Sequence, residues 1–160
     1  MAGVVTYPTL EHIAQQARPY PTHLLEGCET GLCLFAAAFN GWNDAIHFAE
    51  AGIRTTCVDV DSARLDEMQK LYPDDWTFVS SDAWAYVKTL TEPFDAISVD
   101  TFTGDVMERS LSSLGMWTLF ARKVVTVTLT AGAMYRVPTG WRAWHFTRAT
   151  GVYWLVLERA

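Results

Sequence analysis

The stretch LCLFAAAFNGWNDAIHFAEAGIRTTCVDVD, residues 32–61, decides the fold. Its apolar start reads as a buried strand over Leu32–Ala37. Ala36, Ala37 and Ala38 lead through Phe39-Asn40-Gly41 into a helix that Asn43 or Asp44 can cap. That helix runs to Ala51, and Gly52 can end it in the left-handed conformation. Arg54–Val60 alternates and is rich in β-branched residues, which predicts a second strand. Strand, tight loop, helix and strand make the first half of a nucleotide-binding α/β unit. A loop of small residues at a helix N-terminus lets backbone N–H groups approach a ligand. Asp59 stands at the end of the second strand, where a carboxylate can accept from two ribose hydroxyls. Together these features point to a ligand of the adenosine type.

Working outward, Asp61 or Ser62 caps a helix through Tyr72. Its Leu65, Met68, Leu71 and Tyr72 share one face, and Asp66 and Lys70 form an i,i+4 pair on the other. Trp76–Ser80 reads as a third strand. Asp82 caps a helix from Ala83 to about Leu90. Phe94–Val99 is a nearly continuous apolar run of the kind buried on both faces of a sheet. Thr103–Ala121 is helical with a break at Gly115, and Val124–Thr130 is a fifth strand. Trp141–Thr147 and Val152–Glu158, joined near Ala149-Thr150-Gly151, read as an antiparallel hairpin. Upstream, residues 1–27 form a lead-in with a short helix over Leu10–Ala17, stopped by Pro19 and Pro21. Residues 28–160 form a single domain.

Five βα-type units followed by a hairpin predict an α/β three-layer sandwich. Its sheet is seven-stranded and mostly parallel, with an antiparallel C-terminal hairpin. Over about residues 28–160 this order resembles the Rossmann-like class I S-adenosylmethionine-dependent methyltransferases, whose sheet carries a reversed last strand. The family's first motif is a glycine-rich loop introduced by an acid. Here Cys33 or Leu34 takes the acid's place, and Gly41 alone survives of the glycines. LFAAAFNG is similar to the LFAG-type version of cytosine-5 DNA methyltransferases and some RNA methyltransferases.

The resemblance implies S-adenosylmethionine as cofactor, held by Ala37, Phe39, Asn40, Gly41, Asp59, Asp82 and Ala83. Asp59 would take the ribose. Asp82, in Ser80-Ser81-Asp82-Ala83-Trp84, would take the adenine amino group, with the Ala83 N–H reaching a ring nitrogen. Asp82 can equally serve as a helix cap, and Trp84 as a core residue. Asp100, at the end of the fourth strand, is the candidate catalytic residue, either as a general base or orienting an amine. Its surroundings, Asp100-Thr101-Phe102-Thr103-Gly104, resemble the Asp-Pro-Phe-Gly segment of a tRNA guanine methyltransferase family, with Thr101 replacing proline. They also resemble the acid-Thr region of spermidine synthases. The Asn/Asp-Pro-Pro-Tyr motif of amino methyltransferases and the Pro-Cys nucleophile of cytosine-5 enzymes are absent.

Composition narrows the partners. The net charge of −6 is uneven: residues 1–120 hold 6 basic and 17 acidic side chains, residues 121–160 hold 6 and 1. That excludes a basic nucleic-acid-binding body but leaves a cationic patch near the C-terminus. On the hairpin, Arg142, Trp144, Phe146 and Arg148 share one face, while Trp141, Ala143, His145 and Thr147 share the other. Arg142 and Arg148 could reach a nucleic acid, pack an interface, or fill the core with solvated tips. Cys28, Cys33 and Cys57 read as reduced core thiols of a cytoplasmic protein. No stretch suits a bilayer, and no histidine pair has metal spacing, so no metal is assigned.

Between the fifth and sixth strands the family usually places a helix. Ala131–Gly140, with Gly132, Pro138 and Gly140, leaves it missing or very short. An uncovered apolar sheet face implies a second protomer or another protein on it. Three functions stay open. One is methyl transfer to a small-molecule or nucleic-acid acceptor. The second is a catalytically inactive methyltransferase-like binding or assembly protein, and the third an aminopropyltransferase-like enzyme.

Overall fold

The computed structural model of the chain describes residues 20–37, 44–101 and 104–160. These form a seven-stranded sheet: β1 (Thr30–Leu34), β2 (Arg54–Asp59), β3 (Thr77–Ser80), β4 (Phe94–Val99), β5 (Ala121–Thr130), β6 (Trp141–Ala149) and β7 (Val152–Arg159). The strand order is β3-β2-β1-β4-β5-β7-β6. The first five strands are parallel, and β7 lies antiparallel between β5 and β6. Helices α1 (Ala45–Glu50), α2 (Ser62–Gln69), α3 (Ala83–Val87), α4 (Gly104–Ser112) and α5 (Leu114–Leu119) complete the layers. The expected α/β sandwich, its parallel sheet and its reversed hairpin are all present.

One face of the sheet packs Cys33, Cys57, Ala96 and Trp154 against Ala45 and Phe48 of α1 and Leu65 and Met68 of α2. Gly31 makes the closest approach there. A Cβ at this position would lie 2.5 Å from Phe48 Cδ2, so α1 could not sit so near β1. Tyr20 and Leu25, inside the expected lead-in, belong to this core. Tyr20 stacks on His47 at 4.0 Å. The Leu10–Ala17 helix lies outside the described residues. On the other face Leu32, Leu34, Ile97, Val99 and Val125 meet Trp84, Leu111, Leu114 and Trp117. The three cysteines are free and buried.

Several boundaries differ from the sequence reading. β1 stops at Leu34 instead of Ala37, because Phe35 turns to a φ of 59°. Asp61 caps α2 as expected, accepting from the Arg64 N–H, and Asp82 caps α3, accepting from the Ala85 N–H. Lys70 pairs with Glu67 at 3.1 Å in place of Asp66. The long helix breaks at Ser113, and Ala121 already belongs to β5. The helix between β5 and β6 is indeed missing, but the sheet face beneath it is not simply bare. Ala133, Tyr135 and Val137 of an extended strap pack on the second core, while Met134 between them points outward. Alternation along residues 133–137 thus replaces part of a helix's cover. Among the described residues no helix is long and apolar enough to cross a membrane.

Candidate functional site

In open α/β sheets ligands settle beyond the carboxyl ends of the strands, where the strand order reverses. Here β1 is followed by β2 on one side and neighbours β4 on the other. The crevice therefore lies between Leu34, Asp59 and Asp100. A cavity of about 630 Å³ lined by Tyr20, Cys28, His47 and Glu50 lies beside the start of β1, and none of the predicted site residues lines it.

The chain leaves β1 through a tightly held turn. Ala36 N–H donates to Val58 O at 3.1 Å. Ala37 N–H donates to Asp59 Oδ2 at 3.0 Å, and Asp61 N–H to Asp59 Oδ1 at 2.9 Å. Arg64 Nη1 closes the turn by donating to Ala37 O. A carboxylate offers about four acceptor positions. Asp59 spends two on the backbone and is only half-buried. Beside it Val60 is 73% exposed, an apolar surface next to a carboxylate.

Asp44, the first described residue after Ala37, is held from β4 and β7. It is 1% exposed and, of the two candidate caps, does not cap α1 with its side chain, while Asn43 lies outside the described residues. Asp44 Oδ2 accepts from Ser98 Oγ on β4 at 2.7 Å, and its Oδ1 accepts from Trp154 Nε1 on β7 at 3.0 Å. Arg148 Nη1 lies 3.7 Å from Asp44 Oδ1. Ala37, bonded to Asp59, and Asp44, buried against Ser98 and Trp154, are the described residues on either side of residues 38–43.

Asp100 is buried, and its N–H donates to Leu34 O, tying β4 to β1. Its Oδ1 accepts from Arg148 Nη1 at 2.7 Å and from Thr128 Oγ1 at 2.9 Å, and its Oδ2 accepts from Arg148 Nη2 at 3.4 Å. Burial, and then the nearby Asp44 carboxylate, push Asp100 up to about 6 against the opposing pull of Arg148 and Thr128. A carboxylate sealed this way holds its neighbours in place and does not face a cleft as an open base. Next to it Thr101 Oγ1 is buried without a hydrogen-bond partner among the described residues.

Of the residues predicted to hold a cofactor, Ala37, Asp59, Asp82 and Ala83 stand at the strand ends. Ala37 and Ala83 are buried and Asp82 is exposed. Phe39, Asn40 and Gly41 lie outside the described residues. Trp84 is core: it is 6% exposed and donates to Ser113 Oγ. Arg148 turns inward and pairs with Asp100 at 2.7 Å. Arg142 pairs with Glu158 at 3.7 Å. Sequence reading missed the polar role of Asp44 and the exposure of Val60. Arg148 did carry a signal, since its alternation partner Phe146 packs on the interior face.

No family model matches the chain, and no curated protein matches it. Solved structures do. A conserved hypothetical protein from Streptococcus pyogenes superposes with a TM-score of 0.67 at 12% identity, covering 86% of this chain and 92% of that one. An rRNA methylase from Streptococcus thermophilus gives 0.61 at 13% identity, covering 97% and 99%. An O-methyltransferase from Bacillus cereus, in complex with SAH, gives 0.65 at 12% identity, covering 98% and 93%. The chain has the class I methyltransferase-like fold. At these identities the likeness is one of architecture. The methyltransferase-like sheet puts Asp82, Asp59 and Asp100 at the ends of β3, β2 and β4, with β1 between the last two.

Proposed function

We propose that this protein binds S-adenosylmethionine and transfers its methyl group to a small acceptor. The observation that carries this reading is Asp59. Its carboxylate stands at the end of β2 with acceptor capacity left over, beside the exposed Val60 and the bonded Ala37 N–H. The residues fit such a cofactor. Asp59 offers acceptors to ribose hydroxyls, Val60 offers an apolar surface to a flat base, and Asp82 lies one strand further along. The buried Thr101 hydroxyl, unpartnered among the described residues, is a donor at the end of β4. S-adenosylmethionine, when bound, supplies an activated methyl group on a sulfonium sulfur. The chain's own residues would bind and orient, which is most of what methyl transfer asks of a protein.

A small acceptor fits better than a nucleic acid. The strand ends are rich in carboxylates, and the hairpin arginines are spent on Asp100 and Glu158. Reduced, buried thiols suit a cytoplasmic setting.

A second reading has its own observation. Asp100 is sealed by Arg148 and Thr128, which favours a protein that binds the cofactor without turning it over.

Calorimetric titration with S-adenosylmethionine and S-adenosylhomocysteine tests the proposal. Binding to the wild type that is lost in Asp59→Ala is the expected result, and a wild type that binds neither compound overturns it. Methyl release during prolonged incubation with candidate acceptors separates the enzyme from the binding protein.

A further inference from the structure

We propose that β6 is a dimerisation edge, pairing antiparallel with β6 of a second copy of this chain about a two-fold axis at Trp144. The cofactor reading plays no part in this inference.

Among the described residues the sheet ends in β3 on one side and in β6 on the other. An edge strand offers a row of unpaired N–H and C=O groups, and proteins blunt it with shortness, proline, lysine or a bulge. β3 has four residues. β6 has nine, and its irregularity falls late, between Thr147 and Ala149. The stretch before it, Trp141–Thr147, holds no proline, lysine or acid. Two backbone bonds fix which groups face outward. Ala160 N–H donates to Gly140 O, and Ala131 N–H to Gly151 O, both at 2.9 Å. With the pairing registers, these bonds make Arg142, Trp144 and Phe146 the residues that bond to β7. Ala143, His145 and Thr147 therefore aim their backbone groups away from the sheet. Trp141 aims only its carbonyl outward, since its N–H donates to Pro138 O.

Charge and register both select a second copy as the occupant. A bare arginine would repel its twin across the axis, but Arg142 lies 3.7 Å from Glu158 and Arg148 turns inward to Asp100. Trp144 is the midpoint of Trp141–Thr147. Pairing about it sets Ala143 opposite His145 of the second copy, exchanging both backbone bonds, and brings the Thr147 N–H to the Trp141 carbonyl. On one face Arg142 then opposes Phe146, a cation beside a ring, and Trp144 meets itself in the closer, unbonded kind of pair. Moving the axis to His145 would set Arg142 against Arg148. Trp144 is 46% exposed, and its Nε1 already donates to Glu158 Oε2, so the ring can be buried with its polar edge satisfied. The joined sheet ends in the short β3 on both sides, so association stops at two. The expected second protomer thus meets an edge of the sheet and not the face beneath the strap.

The test is sedimentation velocity on the full chain across micromolar concentrations, with amide hydrogen exchange on the same samples. The wild type is expected to dimerise, and the Ala143, His145 and Thr147 amides to become more protected as concentration rises. Trp144→Lys sets two cations face to face, and Trp144→Glu two carboxylates. Each should weaken dimerisation by about tenfold or more. Mixing the two variants should restore the dimer, because opposite charges then meet on the axis. If these variants fail to fold, Ala143→Pro takes their place. It removes an outward N–H that β7 does not use, and should give a monomer.

A wild type that stays monomeric with freely exchanging edge amides overturns the inference. So does a monomer whose Ala143 and Thr147 amides exchange slowly, since the chain would then cover its own edge. A dimer that survives the substitutions lies elsewhere on the surface and overturns it too. A mixture of Trp144→Lys and Trp144→Glu that stays monomeric overturns the axis at Trp144. None of these measurements involves S-adenosylmethionine, so the cofactor reading stands or falls on its own titration.

Discussion

The Ala37 N–H donates to Asp59 Oδ2 across 3.0 Å, joining the loop after β1 to the end of β2. The second oxygen of the same carboxylate holds the Asp61 N–H at 2.9 Å. Both are charge-assisted bonds to backbone donors, and removing the acceptor leaves two N–H groups unsatisfied. Asp59→Ala should therefore cost about 1–3 kcal/mol in urea unfolding at pH 7, independently of any ligand. Unchanged stability would mean that water takes over both donors.

Asp100 gives stability a pH dependence whose sign is the reverse of the usual carboxylate. Its folded value, about 6, lies above the ordinary 3.8. Between those values the unfolded chain has released a proton that the folded chain still holds. The Asp100 contribution is therefore fully present below about pH 4 and is lost as pH rises to about 6. The loss amounts to about 3 kcal/mol for a difference of this size. The stability of the wild type relative to Asp100→Asn, measured by urea unfolding at pH 4, 5, 6 and 7, should fall across the first three points and then level off. A flat difference would show that Arg148 fully offsets burial.

Gly31→Ala should destabilise the protein by about 1–3 kcal/mol, the usual cost of overfilling a packed core. The new methyl group would meet the buried Phe48 ring at 2.5 Å. Pairing it with Phe48→Leu, which withdraws the ring edge, should give less than the sum of the two single losses in thermal unfolding. Strict additivity would place the strain elsewhere.

Asp82→Ala should lose about 1 kcal/mol with the cap of α3, and Asp82→Ser should regain most of it. The same pair separates capping from ligand contact. If Asp82 also touches the cofactor, Asp82→Ser restores thermal stability but not S-adenosylhomocysteine affinity. Full recovery of both would reduce Asp82 to a cap.

What the sequence made legible was whatever carries a local signal. The run Phe94–Val99 reads as a strand because Phe94, Ala96, Ile97 and Val99 outweigh Asp95 and Ser98, and the structure matches those bounds. Hairpin alternation placed Arg148 on the correct face but not at its depth, which depends on Asp100, 48 residues away. Asp44 looked like a cap because caps are local. Its true partners, Ser98 and Trp154, are 54 and 110 residues distant. The early end of β1 was invisible, since a phenylalanine in the left-handed region has no sequence mark. The Ala36 and Ala37 hydrogen bonds, and the packing of Phe35 on Trp84, accompany it.

The insertion of β7 between β5 and β6 has a consequence for biogenesis. As the polypeptide leaves the ribosome, β6 emerges before the strand that must flank it on its inner side. It has nothing to pair with until residues 152–159 have been made. Strands that wait for late, non-local neighbours form slowly and are exposed to mispairing. Because the guanidinium that reaches Asp100 rides on β6, the charge cluster is set by the final zippering of the sheet. Nascent chains halted before residue 152 should hold a folded nucleus of β1–β5 with its two buried acids still lacking their shared counterion.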